Sequence, residues 1–92
     1  MRGVGSKTFD GVWFVAYSQD HPPPHVHGFY AKTEVLIDLL PDGTVGRSKR
    51  RGSVRPPRAK RNEVRRILEV AAAHAAELHE LWLNTHGGKT DG

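Results

Sequence analysis

The hydrophobic pattern changes its period once along the chain, which divides it into a β-rich first half and a helical second half. Residues 12–17 are apolar on both alternating faces, as in a strand that is covered on both sides. Residues 25–30 and 33–39 predict two further strands, joined by a two-residue turn. Residues 44–48 are a candidate for a short fourth strand, because they follow a Pro-Asp-Gly turn signal.

The strands at residues 25–30 and 33–39 also predict their own register. If Tyr30 pairs with Thr33, one face of the pair is wholly apolar, and on the other face His25 lies opposite Asp38. A shift by one residue would mix the two sets, so we expect this antiparallel pairing. A carboxylate beside a histidine fixes its tautomer and raises its basicity.

From about residue 58 to residue 84 the apolar positions recur with the period of a helix. They form one stripe, made of Val64, Ile67, Leu68, Ala71, Ala75, Leu78 and Trp82. The predicted fold is therefore α+β, a small antiparallel sheet of three to four strands with one long C-terminal helix packed across one face. We expect a single domain at 9–86 with a basic loop at 47–58, a flexible N-terminus at 1–8 and a flexible tail at 87–92.

Charge is distributed unevenly along the 92-residue chain. The formal net charge is +4, but residues 47–66, the basic segment, carry +9 and the rest of the chain carries −5. The basic residues of this segment are Arg47, Lys49, Arg50, Arg51, Arg55, Arg58, Lys60, Arg61, Arg65 and Arg66. Half of them fall at the beginning of the predicted helix, where the helix dipole disfavours cations. Such a segment favours a polyanionic partner, and the alternative is a solvated basic face.

Three of the six histidines, His21, His25 and His27, fall within seven residues. His25 and His27 leave the same face of a predicted strand, and His21 precedes a rigid run of three prolines. Because imidazole titrates near neutral pH, these three rings and Asp38 are candidates for general acid–base catalysis. The same three rings are a candidate divalent-metal site, and a histidine-rich surface without chemistry is the third alternative.

The composition excludes several classes of protein. With no cysteine, the chain has no disulfide, no thiolate metal site and no cysteine nucleophile. No apolar run approaches the roughly 18 residues that span a bilayer, and no signal peptide opens the chain. The sequence therefore predicts a cytoplasmic protein with no membrane partner.

Several of these residues also belong to a longer motif. It consists of Phe9-x-Gly11, Tyr17-Ser18-x-Asp20-His21-x-Pro23-Pro24-His25-Val26-His27, Ile37-Asp38-Leu39 and His74-x-x-Glu77-Leu78 with Trp82. Over roughly residues 9–84 the chain resembles the domain-of-unknown-function family numbered 4160, a family of small bacterial proteins. The resemblance implies a strand, a hairpin and a C-terminal helix, and it implies a toxin–antitoxin component with a small partner protein from a neighbouring gene. Related sequences tend to be shorter and less basic at residues 49–57.

Two functions are compatible with these residues. The first is a small, metal-independent ribonuclease in which His25 or His27 is the general base, His21 is the general acid, and Asp38 orients His25. The second is a non-enzymatic binding module or inhibitor, whose basic segment binds nucleic acid, RNA above all, or an acidic partner protein. No cofactor is predicted. A divalent metal held by the three histidines is a variant of the first function, and a homodimer is left open.

Overall fold

The structure, a computed structural model, describes residues 4–86. Within this range the chain forms six strands followed by two helices. The strands are β1 (Val4–Phe9), β2 (Val12–Tyr17), β3 (His25–Tyr30), β4 (Thr33–Leu39), β5 (Val45–Arg47) and β6 (Val54–Arg55), and the helices are α1 (Arg61–Ala73) and α2 (Ala75–His86). Neither helix is long and apolar enough to cross a membrane.

The six strands form one antiparallel sheet in the order β1-β2-β3-β4-β5, with β6 also paired to β4. β5 pairs with residues 37–39 of β4, and β6 pairs with residues 34–35. Between them, the backbone of Leu36 accepts a hydrogen bond from Ser48 (2.9 Å) and donates one to Ser53 (2.8 Å). The predicted basic loop at 47–58 is therefore partly an edge of the sheet, because β5 and β6 both pair with β4. Residues 49–52 connect these two paired segments and lie outside the sheet.

The predicted register of the β3–β4 hairpin is confirmed. Tyr30 pairs with Thr33 and His25 pairs with Asp38. The turn is Ala31-Lys32, with a positive φ of 54° at Ala31. The hydrophobic pattern sufficed here because one face of this hairpin is buried, and burial specifies register strongly.

β1 corrects the prediction of a flexible segment at 1–8, because residues 4–9 form a strand that pairs with all of β2. The β1–β2 turn is Asp10-Gly11, with φ of 49° and 81°. Two positive φ values are typical of the tight hairpin turn that an Asp-Gly pair favours. That dipeptide is the sequence signal for this hairpin. Residues 1–3 and the predicted tail at 87–92 lie outside the described residues.

The α+β class is confirmed, but the prediction of three to four strands and one long C-terminal helix is wrong. The helix is interrupted at His74, whose backbone leaves the helical region (φ −120°, ψ 33°). α1 packs mainly on β3, β4 and β5, whereas α2 packs mainly on β1 and β2. Because a sheet twists, one straight helix cannot follow both groups of strands. The break lets each half lie along its own part of the sheet.

The core lies between the helices and one face of the sheet. Phe14 and Ile37 of the sheet and Ile67 and Leu78 of the helices are fully buried there. Gly28 of β3 faces α1, and a Cβ at this position would lie 2.7 Å from Cγ2 of Ile67. The glycine therefore permits the close approach of α1. Side chains that alternate with these core residues along the strands point to the opposite side of the sheet, which we call the open face.

Candidate functional site

A row of side chains crosses four strands on the open face. Strand register places Trp13, Phe29, Glu34 and Arg55 next to one another on β2, β3, β4 and β6. Trp13 is 48% exposed, and its ring centroid lies 5.4 Å from that of Phe29. We call these four residues the cross-strand row. It presents an accessible aromatic pair with an exposed arginine at its end.

Beside this row lies a histidine cluster, formed by Asp20, His25, His27 and Glu34. Oδ2 of Asp20 is 3.1 Å from Nε2 of His25 and 3.3 Å from Nε2 of His27. Both imidazoles therefore direct the same ring nitrogen at one carboxylate oxygen. Asp20 comes from the loop after β2, and the two histidines lie at positions i and i+2 of β3.

The other ring nitrogen of each histidine is also held. Nδ1 of His25 lies 2.9 Å from the carbonyl oxygen of Pro23, and Nδ1 of His27 lies 3.0 Å from Oε2 of Glu34. His25 is nearly buried, with a side chain 6% exposed, whereas the His27 side chain is 22% exposed. His27 is therefore the ring that a ligand on the open face can reach.

The C-terminal end of α2 positions Asp20. Nε2 of His86 lies within hydrogen-bond distance of the Asp20 carbonyl oxygen (3.1 Å), and the Asp20 amide donates to the Tyr17 carbonyl (3.0 Å). The His86 ring stacks on Trp82 at 3.5 Å, and Trp82 lies 5.5 Å from the ring of His25. The loop that carries Asp20 is thus attached both to β2 and to the last turn of α2.

The structure brings only some of the predicted site residues together. His25 and His27 come together as expected, but His21 is exposed and does not belong to the group of ligand atoms within 4.8 Å of one another. Asp38 is the strand partner of His25, yet the carboxylate that contacts the His25 ring is that of Asp20. The His25 ring turns toward the loop because β3 begins at this residue and both of its ring nitrogens find acceptors there.

Asp20 and Glu34 are the site residues that the sequence analysis missed. Asp20 directly precedes His21 in the motif, so a signal for it was present in the sequence. Glu34 could be inferred from the register. The strand partner of His27 is Leu36, and Glu34 lies two residues before Leu36 on the same face of β4. Among residues 4–86, one group offers ligand atoms that lie within 4.8 Å of one another, and it consists of Asp20, His25 and His27. The predicted metal set contained His21 in the place of Asp20.

All ten basic residues of the basic segment are exposed, but they do not form one surface. Arg55 lies on the open face, where a cavity of about 80 Å³ separates it from His27. Arg66 contacts the fold itself, because it donates to the Asp10 carbonyl (3.0 Å) and lies over the Tyr30 ring. Lys49, Arg50 and Arg51 lie at the excursion between β5 and β6, and Arg58 and Lys60 lie just before α1.

Arg47, Arg61 and Arg65 line a groove of about 670 Å³ between α1 and the β5–β6 edge. The other lining residues are Val54, Pro57, Ala59, Val64, Leu68, Glu69 and Ala72. We call this site the α1 groove. Its floor is aliphatic and it lies on the helix side of the sheet, away from the histidine cluster. The basic segment therefore contributes residues to two different surfaces, the open face and the α1 groove.

The fold and the site define a small α+β protein with a histidine–carboxylate cluster at one end of a six-stranded antiparallel sheet. The chain belongs to the DUF4160 family, described as a domain of unknown function, whose sequence profile matches residues 11–83. Comparison with curated proteins and with solved structures finds no match for the chain.

Proposed function

We propose that the protein binds single-stranded nucleic acid, RNA above all, across the open face. The observation that carries this proposal is the cross-strand row, which brings a partly exposed aromatic pair and an exposed arginine next to the histidine cluster. Proteins that bind single strands combine such aromatic platforms with cations that follow the phosphates. Trp13, which is 48% exposed, is in ring contact with Phe29, so the face offers a continuous aromatic surface.

Trp13 and Phe29 supply the stacking surface. Each base has a π-face, so stacking on these rings does not depend on base identity. Phe29 and His27 are two residues apart in β3, which separates their Cα atoms by about 7 Å. A nucleotide stacked on the aromatic pair would therefore place its phosphate within reach of His27.

Cations for the phosphates come from the neighbouring edge of the sheet. Arg55 ends the cross-strand row, and the 49–52 excursion adds Lys49, Arg50 and Arg51. Glu34 lies between the aromatic pair and Arg55, but Oε2 of its carboxylate is engaged by His27 at 3.0 Å. Attraction by these cations is electrostatic, so binding should weaken as salt concentration rises.

The test is the fluorescence anisotropy of a short, labelled single-stranded RNA of mixed sequence. Trp13→Ala should weaken binding about 5- to 150-fold, since stacking contributes about 1–3 kcal/mol per base. Leu83→Ala is the matched control, because Leu83 is 61% exposed on α2, which packs on the opposite side of the sheet. Arg55→Ala should reduce the slope of log K against log salt by about one.

Two results would contradict the open-face proposal. One is wild-type affinity in both Trp13→Ala and Arg55→Ala. The other is loss of binding on charge reversal at the α1 groove only.

Histidine-dependent cleavage stays a prediction, and the same RNA on a denaturing gel tests it. The His25→Ala/His27→Ala double variant should then leave the RNA intact, with circular dichroism to show that it is folded.

The α1 groove favours a second candidate function, the binding of an acidic segment of a partner protein. Its aliphatic floor suits leucine-like side chains, and its three arginines suit carboxylates. No aromatic ring is among the described residues that line it, so bases would find no stacking partner there. A toxin–antitoxin module, which the family resemblance implies, would supply such a partner.

Isothermal titration with the product of the neighbouring gene tests this second function. Arg61→Glu/Arg65→Glu should weaken the complex at least about tenfold, because each reversal places like charges together. Arg50→Glu/Arg51→Glu is the control, since it makes the same double charge reversal in the basic segment outside the groove. Equal affinity in the groove variant and the control would exclude the groove as the binding site.

A further inference from the structure

We propose that Asp20, His25 and His27 bind a divalent transition-metal ion through one carboxylate oxygen and two imidazole Nε2 atoms. The three atoms already converge, with the Asp20 oxygen 3.1 Å and 3.3 Å from the two nitrogens. When ligand bonds are 2.0–2.1 Å, tetrahedral geometry sets neighbouring ligand atoms about 3.3 Å apart. The two separations from Asp20 are close to that spacing, and the two Nε2 atoms lie within 4.8 Å of each other.

The second ring nitrogens determine which atoms face the carboxylate. Nδ1 of His25 meets a carbonyl oxygen, and Nδ1 of His27 meets the carboxylate of Glu34. Both oxygens are acceptors, so each Nδ1 can carry the hydrogen and donate it. In a neutral imidazole, Nε2 then holds a lone pair that points at Asp20.

Three acceptor atoms that converge in this way need a positive charge between them. Protons on the two Nε2 atoms would provide it through hydrogen bonds to Asp20, and a bound cation would provide it through coordination. A single metal ion satisfies all three lone pairs at once and leaves both histidines neutral, which is the form that ligates metals.

The surroundings of the cluster are those of a metal site. Ligating histidines ordinarily donate their other N–H to a carboxylate or a backbone carbonyl, and His27 and His25 do so here. Asp20 is held from two sides, through its amide to Tyr17 and through its carbonyl to His86. The three ligand side chains are thus oriented by the fold itself.

The donor set selects the class of metal. Two imidazole nitrogens and one carboxylate oxygen suit Zn²⁺, Co²⁺ and similar ions, whereas Mg²⁺ and Ca²⁺ prefer oxygen ligands alone. Three protein ligands leave at least one coordination position for water or a substrate atom. Because the His27 side chain is 22% exposed, that position faces the open face. An ion there would act as a Lewis acid beside the cross-strand row.

Isothermal titration of Zn²⁺ into tag-free protein, first dialysed against a chelator, tests the proposal. We expect saturable one-to-one binding of Zn²⁺ and none of Mg²⁺ at the same concentrations. Zn²⁺ should also raise the midpoint of thermal unfolding, since a ligand that binds the folded state stabilises it. With Co²⁺, visible absorption bands would report the coordination directly. No nucleic acid is present, so failure here is distinct from failure of RNA binding.

Variants identify the ligands. Asp20→Asn and His27→Gln, which keep similar side-chain volumes, should weaken Zn²⁺ binding at least tenfold, and Glu34→Gln should weaken it about 10- to 100-fold with unchanged stoichiometry. His79→Ala is the matched control, since His79 bonds the Thr44 carbonyl outside the cluster. Thermal unfolding without metal shows that each variant is folded.

Three results would overturn the proposal. The first is the absence of saturable Zn²⁺ and Co²⁺ binding by the wild-type protein. The second is wild-type affinity in both Asp20→Asn and His27→Gln. The third is a loss of affinity in His21→Ala while Asp20→Asn binds normally, which would replace Asp20 by His21 in the ligand set.

Discussion

Replacing Gly28 by alanine adds a methyl group where β3 lies against α1. An ideal Cβ at this position would be 2.7 Å from Cγ2 of Ile67 and 3.1 Å and 3.3 Å from two carbons of the Phe14 ring. Both neighbours are fully buried. Ile67 is β-branched and lies in a helix, so its side chain has essentially one rotamer and cannot swing away. The methyl group must therefore move α1 or β3.

The expected loss of stability combines two opposing effects. Overpacking in a well-packed core costs about 1–3 kcal/mol. Replacing glycine by alanine restricts the unfolded chain, which returns about 0.4–1 kcal/mol. We therefore expect Gly28→Ala to lower the free energy of unfolding by about 1.5 kcal/mol, and the melting midpoint by about 6–12 °C for a domain of this size.

Gly46→Ala makes the same chemical change with space available. In β5 the nearest side-chain atom to an added Cβ would be Cδ1 of Leu40 at 4.0 Å, an ordinary contact. Its stability should stay within about 0.5 kcal/mol of the wild-type value. Urea and thermal unfolding, followed by circular dichroism, measure both variants. If Gly28→Ala were as stable as Gly46→Ala, the proposed contact between β3 and α1 would be refuted.

A double-mutant cycle identifies the clashing group. Ile67→Ala removes the methyl carbon that the new Cβ meets, so part of the vacated space can accept it. The destabilisation of Gly28→Ala/Ile67→Ala should then be smaller than the sum of the two single effects, by about 0.5–3 kcal/mol. Simple additivity would mean that the clash lies elsewhere.

The other predictions concern the second helix and one turn. Leu78→Ala, at a fully buried position, should lower the free energy of unfolding by about 3 kcal/mol in urea titrations. Leu83→Ala, at a 61% exposed position, should change it by less than about 0.5 kcal/mol. The hydroxyl and amide of Thr44 donate to Asp42 and hold its pKa below the usual 3.8. Asp42→Asn should therefore be less stable than wild type at neutral pH. A lowered pKa stabilises the folded protein only while the carboxylate is ionised, so the difference in the free energy of unfolding should vanish as pH falls through the pKa of Asp42. A difference that persists at low pH would contradict this reasoning.

The hydrophobic pattern predicted the central part of the sheet. β2, β3 and β4 were located, and the register of β3 with β4 was correct to the residue, because alternation over a buried face has only one consistent pairing. β1 was missed although Asp10-Gly11 is a hairpin signal, because Gly3, Gly5, Ser6 and Lys7 suggested a loose start to the chain. β6 is only two residues long and carries too little pattern to be predicted.

The break at His74 depends on tertiary structure. The apolar stripe runs through this position without interruption, so the local sequence favours one helix. The sheet that the helix must cover is twisted, and no local pattern encodes that twist. In the fold, His74 stacks on Phe9 with the ring centroids 3.9 Å apart, at the end of β1 and between the areas covered by α1 and α2.

The sequence by itself determined that the protein is a cysteine-free α+β domain whose chemistry-bearing histidines, His25 and His27, share one face of a strand. Tertiary structure decided their partners. Asp20 and Glu34 reach the two rings from another loop and another strand, and His86 holds the Asp20 loop from 66 residues away in the chain. Tertiary structure also divided the basic segment between the open face and the α1 groove. Spacing along a strand fixes which side chains share a face, but the contacts between loops, strand edges and helix ends arise only when the chain folds.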